Sequence, residues 1–203
     1  MPPIDLDEIS RRPLQAMHAD GISELIMGLT FLFWGIVTGA PFLVPKGSWW
    51  GPYWMVSPFV LAASGFASQW LMKRLKERWS YSRAGYVQYK TLKHGWLWAG
   101  MGTALMSMVI VLSFRSRDWR DLLPLGISIV TGAALMYGLR HCGFLRGGVY
   151  ATVIVALGVA VTAAKLSLEL AFGALWAGLG SVLAIGGGAR LMRFLKKREV
   201  QHG

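Results

Sequence analysis

The sequence predicts an all-α fold: a polytopic membrane helical bundle of six transmembrane helices. Three observations lead there. Only 15% of the 203 residues are charged and 54% are apolar, whereas soluble domains carry about 25% charged residues. Mean hydropathy is +0.45. The Lys and Arg residues behind the formal charge of +11 fall in the breaks between apolar runs, where membrane topology places them. Ten Trp and 25 Gly agree, because Trp favours the headgroup boundary and Gly is common in membrane helices.

The elements follow in order. Residues 1–21 form a polar N-terminal segment. Ser10-Arg11-Arg12-Pro13-Leu14 resembles part of a twin-arginine export signal. However, Asp20 and Glu24 interrupt the approach to the apolar run, and that run is longer than a signal peptide's, so an uncleaved first span is expected. A helix needs about 20 apolar residues to cross a ~30 Å hydrocarbon core. Segments 22–44, 53–72, 95–114, 122–139, 147–164 and 170–189 meet that need and make one domain over 22–189. Backbone groups in lipid must be bonded within their own segment, which leaves helix as the form for each run. Pro58 should bend the second span unless it falls in a first turn. A basic loop, 73–94, follows that span, and a basic tail, 190–203, closes the chain.

Six spans put the N-terminus, loop 73–94, loop 140–146 and the tail on one side. That side carries sixteen Lys or Arg residues, seven of them between Trp70 and Trp96, against five on the other. The positive-inside rule makes it cytoplasmic. A bacterial cytoplasmic membrane with both termini inside is the expected location. Aromatic residues mark both boundaries: Trp49, Trp50, Tyr53 and Trp54 outside, and Trp79, Tyr81, Tyr86, Tyr89, Trp96 and Trp98 inside. Nucleic-acid readers also interleave aromatic and basic residues, but membrane boundaries explain both faces, so nucleic acid is not an expected partner.

The even-numbered spans end alike. Gly65 to Lys76 resembles Gly186 to Lys196, with Gly132 to Arg140 a looser copy. Three helical hairpins in parallel orientation fit this pattern, as do basic inner caps on unrelated helices. Small residues recur at helical contact spacing, in Gly35-xxx-Gly39, Gly180-xxx-Ala184-xxx-Gly188 and Gly173-xxx-Ala177. Membrane helices associate where small residues let backbones approach. Internal packing is expected, with a homo-oligomer or a membrane-protein partner as alternatives.

Chemistry is sparse. No ionisable residue falls near a span's centre, where proton-coupled pumps and intramembrane proteases need one. H-E-x-x-H, G-x-S-x-G and the phosphate-binding glycine loop are absent. His18, His94, His141 and His202 are scattered, and the single Cys142 supplies neither a disulfide nor a cysteine metal cluster. No catalytic residue, metal or cofactor is predicted. Mid-span polarity reduces to Thr30, Ser64, Ser107, Ser128, Thr131, Thr152 and Ser181. Such hydroxyls usually bond their own helix's carbonyls, although they could line a solute path.

The candidate interaction loop is Arg78, Tyr81, Arg83, Gly85 and Tyr86. Asp20 and Glu24, spaced i,i+4 on one helix face, are the expected ionic partners for Arg78 and Arg83. Arg11-Arg12-Pro13-Leu14, Asp20-Gly21-x-x-Glu24-Leu25 and Tyr81-x-Arg83-x-Gly85-Tyr86-Val87 together resemble a group of uncharacterised prokaryotic multi-pass membrane proteins. The loop in that group often reads Tyr-Pro-Arg-x-Gly-Tyr-Val, and Ser82 replaces the Pro here. The resemblance implies topology and prokaryotic origin, and no activity. The expected function is therefore that of a non-enzymatic assembly, scaffold or regulatory subunit whose basic inner face meets anionic lipid or an acidic partner. A small-solute permease or channel component is the alternative.

Overall fold

A computed structural model describes residues 20–43, 47, 49–78, 117–141 and 146–199. Five helices make up the described residues: α1 (Ile22–Leu43), α2 (Trp50–Lys76), α3 (Arg117–His141), α4 (Arg146–Ala163) and α5 (Leu168–Glu199). Of these, α1, α2, α4 and α5 are long and apolar enough to cross a membrane, while the apolar part of α3, Asp121–Tyr137, is shorter. The chain is thus a candidate multi-pass membrane protein. Five of the six predicted spans fall on these helices, and the third, 95–114, lies outside the described residues. The tail is helical as far as Glu199, since α5 continues through it without a break. At 1.5 Å per residue, the 32 residues of α5 reach about 48 Å, well beyond a hydrocarbon core.

Among the described helices, the most extensive interface joins α1 to α5, rather than consecutive helices. α1 and α5 run antiparallel in backbone contact. A Cβ built on Gly35 would lie 2.6 Å from the Ala177 nitrogen, and one on Gly180 would lie 2.5 Å from the Leu32 nitrogen. Near the far end, one on Gly173 would meet the Gly39 Cα at 2.8 Å. Gly28 faces Ala184, and Gly187 faces Leu25. Gly21, Gly28 and Gly35 recur every seven residues. Gly173, Ala177, Gly180, Ala184 and Gly187 alternate steps of four and three. This 3.5-residue repeat keeps one seam facing its partner. Gly188, chosen from the sequence, is not at the closest approach: its nearest neighbour would be Leu25 Cδ1 at 3.9 Å. The run Gly186-Gly187-Gly188 hides the phase from a four-residue spacing rule.

α3 and α4 form a second close pair, with Gly158 against Ser128. Tyr150 and Ile154 of α4 join Leu175, Leu179 and Leu183 of α5 in the core. At mid-height Phe31 stacks on Trp176, with centroids 5.4 Å apart and planes at 8°, and Trp34 meets both rings edge-on. α2 is held differently. Trp34 Nε1 donates to Ser64 Oγ at 2.7 Å, and Tyr53 Oη donates to the Val37 carbonyl. Much of its remaining surface is open, with Met55, Phe59 and Phe66 each about three-quarters exposed. Pro58 falls in the third turn of α2, beyond the first turn where proline is tolerated without a lost bond.

Candidate functional site

A cluster of buried charged residues lies at one end of the described structure, around the first turn of α1. Gly21, at φ +74, turns the chain into the helix. Its conformation suits a residue without Cβ, and a Cβ there would also approach the Gly187 carbonyl oxygen at 2.6 Å. Asp20 Oδ1 accepts the Ile22 N–H at 3.0 Å, satisfying one of the donors a helix start leaves open. The seam that draws α5 onto this turn carries Arg190 with it.

Glu24 is the centre of the arrangement and is almost fully buried. Arg190 Nη1 of α5 and Tyr150 Oη of α4 both donate to its Oε2, the latter at 3.1 Å. Arg146 Nη1, at the start of α4, lies 3.5 Å from Oε1. Asp20 and Lys76 are both buried as well, and the Asp20 charge acts on the Lys76 ammonium. Three helices, α1, α4 and α5, therefore meet at the Glu24 carboxylate. Buried charges need this: an uncompensated one costs several kcal/mol.

The expected partners of Asp20 and Glu24 are Arg78 and Arg83 of the basic loop, and Arg83 lies outside the described residues. The cations on Glu24 are Arg190 and Arg146, while the Asp20 charge acts on buried Lys76, a residue of the predicted loop 73–94. Arg78 is exposed at the end of α2. Tyr81, Arg83, Gly85 and Tyr86 lie outside the described residues. The physical reason is the α1–α5 contact: once Gly187 abuts Leu25, Arg190 is carried against Glu24. Arg190, Arg146, Tyr150 and Lys76 were not singled out from the sequence. The available signal was a basic residue one turn beyond a small-residue seam, opposite an acid at the other helix's start.

Around this buried cluster the same end of the bundle is openly basic. Lys73 and Arg74 on α2 and Arg78 just beyond it, with Arg193 and Lys196 on α5, are exposed, and Arg74 lies 4.5 Å over the Trp70 ring. Five of the seven mid-span hydroxyls, Thr131 and Ser107 aside, are bonded locally. Thr30, Ser64, Ser128, Thr152 and Ser181 each donate to a carbonyl three or four residues earlier. Ser107 lies outside the described residues. Among the described residues, no three His, Cys, Asp or Glu side chains converge as metal ligands do.

No family model matches the chain, and no curated protein or solved structure is significantly similar to it.

Proposed function

We propose that this is a bacterial cytoplasmic-membrane protein that crosses six times with both termini inside. It acts without catalysis, as an assembly, scaffold or regulatory subunit, and belongs with the prokaryotic multi-pass proteins its loop resembles. One observation carries the reading. Of the acids at the basic end, Glu24 is taken up inside the bundle by Arg146 and Arg190, and Asp20 is buried, so that Glu77 is the exposed acid among five exposed cations of the described residues there. The exposed cations Lys73, Arg74, Arg78, Arg193 and Lys196 are left facing outward at that end. An anionic leaflet attracts such residues by about 1 kcal/mol each, and an acidic partner protein would be drawn to the same face.

Purification in native lipid tests this. The chain should carry anionic lipid or a stoichiometric partner. Replacing Lys73, Arg74, Arg193 and Lys196 together by Gln should release most of it; unchanged retention refutes the basic-face reading. Reporters fused after Arg83 and Lys196 should be silent in the periplasm, and activity there refutes the topology. The permease alternative draws support from a recess at the opposite end, described next. The local bonding of five mid-span hydroxyls counts against it.

A further inference from the structure

At the end of the bundle away from the Glu24 cluster, α3, α4 and the α4–α5 turn enclose a recess of about 350 Å³. Small-molecule sites begin at about this size. Asp121 from α3 and Lys165 from the α4–α5 turn both line it, with Val161, Thr162, Leu166 and Ser167 among the remaining lining residues. Opposite charges are handled differently at the two ends. Around Glu24 they close on one another, whereas Asp121 and Lys165 form no ion pair among the described residues and face a shared void instead.

The turn is built to hold Lys165 there. Its N–H donates to the Thr162 carbonyl at 3.1 Å, and the Ala164 N–H donates to Ala160 at 2.9 Å. This closes α4 with Lys165 in the left-handed conformation, at φ 50. Glycine is the usual residue at such a helix end, so a charged side chain is kept at some cost in strain. In the recess wall, the Thr162 hydroxyl is buried without a hydrogen-bond partner, where buried polar atoms normally have one.

We propose that this recess binds a small zwitterion. Its ammonium group would face Asp121, and its carboxylate or phosphate would face Lys165 and the Ser167 hydroxyl. A short aliphatic link would lie along Val161 and Leu166. A free amino-acid-like solute and the headgroup of an ethanolamine phospholipid share this chemistry. The site is independent of the basic face proposed above, because it uses none of the same residues and sits at the other end.

The test uses the full chain in phosphatidylglycerol nanodiscs. Calorimetry with glycine and with phosphoethanolamine reads the free-solute source. Native mass spectrometry after adding phosphatidylethanolamine reads the lipid source. Ethanolamine and inorganic phosphate are the single-charge controls. Binding of either zwitterion, or retention of the ethanolamine lipid, is expected. Asp121→Asn and Lys165→Met should each weaken it about tenfold or more, as loss of a charged hydrogen-bond partner does. Both side chains are exposed, so the variants should melt like the parent protein, and this is checked first. Three results would overturn the proposal: no zwitterion bound from either source, equal binding by the variants, or equal binding of the single-charge controls.

Discussion

Among the described helices, α1 is held in opposite ways by α5 and by α2. Against α5 it lies backbone to backbone along a seam of Gly and Ala, sealed at one end by Glu24 and Arg190. Against α2 it is held by a few side chains, chiefly Trp34 to Ser64 and Tyr53 to Val37. Both α1 and α2 are apolar, so apolarity does not separate the cases. In lipid, apolar surface gains little by leaving the tails, and close backbone approach or a polar bond must supply the attraction. A glycine is not enough alone: among the described residues, nothing lies within 4 Å of a Cβ built on Gly65 of α2. It counts only where the partner presents small residues at the same register.

This contrast is open to direct attack, most strongly at the seal. Glu24→Ala leaves Arg146 and Arg190 without their shared carboxylate and should cost about 3–5 kcal/mol, measured by reversible unfolding in mixed micelles. A loss below about 1 kcal/mol would mean that water or headgroups already compensate the arginines. Next comes the seam itself. Gly28→Val drives a branched side chain into the α5 backbone and should cost about 1–3 kcal/mol or more, read in the same unfolding assay. The α1–α2 side should yield less. Trp34→Phe keeps the ring contacts with Phe31 and Trp176 but removes the donor to Ser64, for about 1 kcal/mol. A larger loss would raise α2 to an equal partner. Smallest of all, Gly65→Ala should change stability by less than about 1 kcal/mol, and in the favourable direction, because Ala is the better helix former. If Gly65→Ala instead destabilises the protein as Gly28→Val does, this face of α2 is in contact and the contrast fails.

The sequence made some of this legible and hid the rest for identifiable reasons. Helix positions follow from apolar run length, a local property, so the segments at 22–44, 53–72, 122–139, 147–164 and 170–189 fall on α1 to α5. Gly35, Gly39, Gly180 and Ala184 also lie where α1 meets α5, because small-residue spacing is local too. The partners of Glu24 were not legible. Arg190 is 166 residues away and Tyr150 is 126 away, and which helices become neighbours depends on closure of the whole bundle. The loop arginines were favoured because they share a depth and a charge sign with many others, which does not single out a partner. The seven-residue recurrence of Gly21, Gly28 and Gly35 would have corrected Gly188 to Gly187, had the seam been read as a heptad.

Pairing α1 with α5 also sets a timetable. Ribosomes add roughly 5–20 residues per second, so the stretch between Leu43 and Leu168 keeps α1 waiting on the order of ten seconds before its mate emerges. Throughout that interval its glycine face and the Glu24 carboxylate have neither α5 nor Arg190 to meet, and an insertase or chaperone that shields them would shorten the danger. Stop codons ahead of Leu168 should therefore yield chains that membrane proteases clear quickly, even though every preceding helix has been made.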